Sequence, residues 1–211
     1  MKTDDLIASL AADGPAHRPL RPLFAAAAIL GTLCAFALFM LTLGPRPDVD
    51  QALHTMRFDF KCVVMFILAV TTFFVARDMT RPEVTRSRLR PLLWAAPLLL
   101  ILSVAVELIV MPQDTWMPRL IGQNMPYCTT MIPLFALAPL ALMLWVFRQG
   151  APQNPVRAGA IAGLLAGGIG ATLYAVHCFD DSPLFVATWY TLAITFVTGL
   201  GALLGARLLR W

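Results

Sequence analysis

Six apolar runs, each long enough to cross a bilayer and joined by connections too short to hold a domain, limit what this chain can become. A spanning helix takes about 20 mostly apolar residues. Runs of that kind lie at 22–43, 58–76, 91–111, 126–147, 156–176 and 184–204, and proline or glycine marks most of the breaks between them. Hydrophobic residues make up 59% of the 211 and charged residues 13%, against about 25% charged in a soluble domain. The expected fold is therefore all-α: an integral membrane bundle of six transmembrane helices over residues 22–211, preceded by a short cytoplasmic head, residues 1–21. No secretory leader is predicted, because Asp4, Asp5 and Asp13 stand where a basic start and an apolar run belong.

The net charge of +4 bears on orientation in the lipid bilayer and implies no direct nucleic-acid partner. An even number of spans puts both termini on one side. Segments on that side hold Lys2, Arg18, Arg21, Arg77, Arg81, Arg86, Arg88, Arg90, Arg148, Arg157, Arg207 and Arg210, whereas the opposite side holds Arg46, Arg57, Lys61 and Arg119. This twelve-to-four split predicts a multi-pass protein of a bacterial inner (plasma) membrane with both termini cytoplasmic. The connections near His54, Asp114 and Cys178 then face outward. Trp94, Trp116, Trp145, Trp189 and Trp211 fall mostly near span ends, where indoles favour the interface.

The outward turn between spans five and six carries His177, Cys178, Asp180 and Asp181. Of the four cysteines, Cys34 (middle of span one) and Cys62 (one turn into span two) read as small apolar packing residues. Cys128 at the start of span four and Cys178 at the end of span five fall at equal depth. Two thiols so placed on antiparallel neighbours can form a disulfide, share a soft metal ion, or be unrelated interfacial cysteines. A metal site needs three or four converging donors. Its candidates are Cys128, Cys178 and His177, with Asp180 and His54 further off. His177 alone reads more simply as an interfacial hydrogen-bonding residue.

Glu107 stands near the outer end of span three. A carboxylate at membrane depth is a functional candidate, or one that snorkels or bonds a neighbouring helix. Gly159, Gly163 and Gly167 in span five recur every four residues, and Gly199, Gly201 and Gly205 give span six a similar face. Small residues at this spacing predict tight packing of spans five and six, within one chain or across a homodimer.

The head, MKTDDLIASLAADGPAHRP, reads as a short helix. Thr3 caps it, Asp4 and Asp5 sit in the first turn, and Gly14 and Pro15 stop it. Leu6, Ile7, Leu10 and Ala11 form an apolar stripe. The acidic polar face disfavours an anionic lipid surface and suits a protein groove with a basic rim; the alternative is a loosely ordered tail.

The start MKTDDLIASLAAD, the block CTTMIPLFALAPLALMLWVFRQGAP, the block AGLLAGGIGATLYAVHCFDDSPLFVATWY and the ending GARLLRW together resemble the six-span bacterial membrane anti-sigma factors typified by NrsF. The resemblance implies a non-enzymatic regulator. Its cytoplasmic head, through Asp4, Asp5, Leu6, Ile7 and Leu10, sequesters an extracytoplasmic-function sigma factor. It releases that partner when two envelope-side cysteines, which fall here on Cys128 and Cys178, sense heavy-metal or oxidative stress. No resident cofactor is implied beyond transient binding of a soft metal ion at the pair. Two other classes remain on the residues alone. A membrane thiol-disulfide oxidoreductase needs a second exchanging cysteine pair. A small transporter needs broken helices, for which Pro97, Pro133 and Pro139 are the candidates.

Overall fold

The computed structural model describes residues 3, 5, 7, 20–80, 87–150 and 152–210. Six helices long and apolar enough to cross a membrane account for most of them: α1 (Leu20–Thr42), α2 (Met56–Asp78), α3 (Arg90–Val110), α4 (Met125–Gln149), α5 (Pro155–Ala175) and α6 (Pro183–Leu208). Every boundary lies within four residues of the run that predicted it. The all-α membrane bundle is thus the observed architecture. Two short helices escaped the sequence reading, Val49–Ala52 and Trp116–Ile121, because each is too short to show a period. In the head, Thr3, Asp5 and Ile7 have helical backbone and are exposed. Asp4, Leu6 and Leu10, and the proposed stop at Gly14 and Pro15, lie outside the described residues.

Helix limits follow local chemistry. α1 ends at Gly44, whose φ of 63° lets its N–H reach back to the Phe39 carbonyl at 2.9 Å; this is the left-handed cap that glycine makes cheaply. α5 starts with Pro155 in its first turn, and the Asn154 side chain accepts from the Arg157 N–H at 2.9 Å. α4 runs through Pro133 and Pro139 without ending, so neither proline breaks the helix as a transporter would require. Pro139 is instead where α1 crosses: a Cβ on Gly31 would stand 2.7 Å from Pro139 Cα. Hydroxyls within the spans bond back to their own helix, as Thr72 does to the Leu68 carbonyl at 2.7 Å, since lipid offers them no other partner.

α5 is the hub. Of its most apolar stretch 72% is buried, against 11% for α3 at the edge. Glycine makes this possible. Gly159 faces Gly201 and Gly205 of α6, Gly163 faces the Val197 carbonyl, Gly168 faces Ala69 of α2, and Gly170 faces the Ile132 carbonyl of α4. Close backbone approach of this kind is how helices associate where water supplies no hydrophobic drive. The expected seam between the last two spans is therefore present within one chain. Gly199 is a correction: it has open space around it and takes no part. Cys34 is another, because it sits on an exposed face of α1 instead of a helix contact. Cys62 packs against the core as expected. Aromatic rings close both ends, with Phe24 5.4 Å from Phe147 and Phe39 5.8 Å from Phe135.

Candidate functional site

The α5–α6 turn leaves α5 at Ala175 and enters α6 at Pro183. It is held on all sides by charged groups that the apolar runs had concealed. Lys61, one turn into α2 and 1% exposed, donates to the Cys178 carbonyl at 2.8 Å, to the Asp180 carbonyl at 3.4 Å and to the Asp181 carboxylate. Arg46, just beyond α1, forks onto Asp48 with two contacts of 2.7 Å and reaches Asp181 at 3.1 Å and the Cys178 carbonyl at 3.5 Å. Its backbone N–H donates to the Val176 carbonyl at 3.2 Å, and its guanidinium lies 4.6 Å from the Phe179 ring centroid. The Asp48 hydrogen bond, with Asp181 behind it, raises the Arg46 guanidinium above its ordinary value despite burial, and Arg46 in turn lowers the Asp48 carboxyl. Both groups stay charged.

Each acid of the turn thereby has a structural task. Asp180 accepts from the Gln123 and Asn124 backbone N–H groups at 2.9 and 2.8 Å, and from the Asn124 side chain at 3.0 Å, so it fixes the entry to α4. Gly122 makes room for it: with φ of 59°, a Cβ there would meet Phe185 and stand 2.8 Å from the Asp180 carboxyl carbon. His177 Nδ1 lies 2.9 Å from the Gly44 carbonyl, so its ring is turned to the end of α1.

Glu107, 4% exposed, resolves in favour of bonding a neighbour. Its carboxylate accepts from Ser182 Oγ at 2.8 Å and the Leu184 N–H at 3.2 Å, which caps α6 from another helix. Arg119 at 3.3 Å and Arg57 at 3.7 Å pair with its other oxygen. Glu107 is thus what ties the peripheral α3 to the bundle at this end.

Cys128 and Cys178 come together in one buried cluster that also holds Tyr174 and Tyr190. All four side chains are fully covered. The two phenol hydroxyls have no hydrogen-bond partner at normal geometry, although Cys178 adjoins both. Both cysteines carry free thiols. The turn thus covers its own sulfur: Cys178 is buried, and its carbonyl is held by Lys61 and Arg46. Burial pushes the Cys178 thiol up, with Lys61 opposing, so the thiolate that would attack an oxidant or bind a metal is scarce at rest. Among the described residues no three His, Cys, Asp or Glu side chains converge as a metal-holding group. His177 in particular does not join Cys128 and Cys178, because Gly44 holds its ring.

Sequence reasoning singled out Cys128, Cys178 and Glu107 but gave no site role to Arg46, Lys61, Arg57, Arg119, Ser182, Tyr174 or Tyr190. The signal was available for four of these. Arg46, Arg57, Lys61 and Arg119 are the basic residues on the sparsely charged side, and Asp48, Asp181 and Glu107 fall at their depth.

What the fold and site define is a six-helix membrane bundle with two buried cysteines beside a turn held by charged groups, and exposed helical residues near the start of the chain. The family model described as NrsF, negative regulator of sigma F, matches residues 10–211. The chain belongs to the NrsF family, a regulatory class. It is 34% identical over 218 aligned residues to the anti-sigma-F factor NrsF of Caulobacter vibrioides (strain NA1000 / CB15N), covering all of both chains. It is 30% identical over 214 to the probable anti-sigma-F factor NrsF of Azospira oryzae (strain ATCC BAA-33 / DSM 13638 / PS), again over the full length of both. No solved structure matches it.

Proposed function

We propose that this protein is an inner-membrane anti-sigma factor with both termini in the cytoplasm. It sequesters an extracytoplasmic-function sigma factor through its head and releases it when heavy-metal or oxidative chemistry reaches Cys128 and Cys178 from the envelope side. The observation that carries the reading is full-length similarity to an anti-sigma-F factor, together with the family match. The basic residues support the orientation: twelve lie on one side and four on the other, and the richer side is favoured in the cytoplasm. The exposed Asp5 and Ile7 fit an acidic amphipathic helix offered to a basic-rimmed groove.

Burial of the thiols shapes the sensing step. A reagent must be small enough to enter the cluster, or the turn must open first, so response is slow until the clamp yields. The experiment on the head is retention of the co-purifying sigma factor by detergent-solubilised full-length protein. Deleting residues 2–13, or introducing Leu6→Asp or Leu10→Asp, is expected to reduce retention at least tenfold, equivalent to about 1.4 kcal/mol. Wild-type retention by all three variants would remove the head from the account.

A further inference from the structure

The path from the thiols to the head is absent from the sequence, because span one is far in the chain from spans four and five. The structure supplies one. Three contacts join the Cys178 turn to the outgoing end of α1, the helix that follows the head: Arg46 N–H to the Val176 carbonyl, His177 Nδ1 to the Gly44 carbonyl, and the Arg46 side chain to Asp181 and the Cys178 carbonyl. By contrast α1 meets α5 sparingly and packs mainly on α4, at Gly31 and Pro139. A group added to a fully buried Cys178 sulfur cannot be housed without moving its backbone, since interiors are close-packed. The first polar partners to lose register are those on its own carbonyl, Lys61 and Arg46.

We propose that Arg46 and His177 are coupling residues that bind the Cys178 turn to α1, so that displacement of the turn is passed along a rigid helix to the sigma-binding head. Arg46 suits the task. It is 8% exposed, bidentate on Asp48, and so held on the α1 side while its remaining nitrogen reads the turn. Lys61 holds the same carbonyl from α2 and serves as the fixed post against which the turn moves. The proposal rests on the sensing reading above, and reciprocity separates the two. If the thiol turn and the head are coupled, Cys178 modification and sigma binding disfavour each other by one factor at equilibrium, and bound sigma factor is expected to slow the opening of the turn that labelling of Cys178 requires.

The test is the rate of N-ethylmaleimide labelling of Cys178, resolved by peptide mass spectrometry in full-length protein, with and without the co-purified sigma factor. Wild type is expected to label about fivefold or more slowly with the partner bound, the lower end of ordinary coupling. Arg46→Gln and His177→Phe should each shrink that ratio, and together bring it to unity. Asp48→Asn, which weakens the fork that holds Arg46 on the α1 side, should shrink it in part. A merely structural role would alter the absolute rates and leave the ratio. If wild type itself shows no ratio, the sensing reading fails and the coupling with it. If wild type shows the ratio and the double variant retains it, coupling through Arg46 and His177 is wrong while sensing stands. Should the double variant fail to fold, Arg46→Lys, which keeps a cation for Asp181 but loses the fork, decides the matter: a reduced ratio supports the proposal and an unchanged one overturns it.

Discussion

Gly159→Leu is expected to separate α5 from α6 and to abolish the folded bundle, whereas Gly199→Ala, on the face of α6 turned away from the seam, is expected to leave it unchanged. At Gly159 a first side-chain carbon already overlaps the Gly201 carbonyl and stands 2.8 Å from Gly205 Cα. Both obstacles are backbone on the facing helix, so no rotamer change relieves them. Overpacking costs about 1–3 kcal/mol where side chains can adjust, and here the cost should reach or exceed the top of that range. At Gly199 nothing lies within 4 Å, and alanine improves helix propensity. Thermal unfolding of the two variants in detergent checks the contrast, with Gly159→Leu recovered as aggregate or with a much lower midpoint. Equal midpoints would mean that the glycine seam does not hold the bundle together.

Glu107→Ala carries the second largest effect. It strips the acceptor from Ser182 Oγ and the Leu184 N–H in a buried place, and it leaves Arg119 and Arg57 to water, which their partial exposure allows. Breaking one side of a buried charged network costs about 3–5 kcal/mol, and the lower end applies because the arginines can be rehydrated. Glu107→Gln keeps an oxygen for the α6 N-terminus and loses only attraction to two partly exposed guanidinium groups, worth about 1 kcal/mol. The expected order of unfolding midpoints is wild type, then Gln, then Ala well below. A reading of Glu107 as a signal-titrating group predicts the opposite emphasis: both variants would block the response to stress, with similar stability.

The division between what the chain announced and what it hid has a physical basis. Span positions were readable because lipid demands about 20 apolar residues in a row, and the six runs satisfy that demand within a few residues of the helix ends. The α5–α6 seam was readable because small residues every four positions have few other uses in a membrane. That Cys128 and Cys178 fall at one depth was legible from the span positions. Their burial was not, because it depends on Tyr174 and Tyr190 closing around them, and Tyr190 ends a stretch of π-helix, Val186–Tyr190, that no periodicity signals. The clamp was hidden for a different reason. Arg46, Lys61 and Asp181 are 15 to 135 positions apart in the chain, and only the fold makes them neighbours. His177 and Asp180 were candidate ligands in sequence because reactive residues cluster there, with His177 reading more simply as a hydrogen-bonding residue. In space each is satisfied by backbone on another segment, a reminder that polar side chains beside a membrane are often engaged in holding loops down.

The central claim is that chemistry at two buried sulfurs controls a partner held at the far end of the molecule. The measurement that meets it most directly is the fraction of sigma factor retained on washed native membranes before and after exposure to a thiophilic metal ion or an oxidant, in wild type, Cys128→Ser and Cys178→Ser. Wild-type membranes should shed most of the partner, and each serine variant should keep it. Release from both serine variants to the same extent as from wild type would contradict the account.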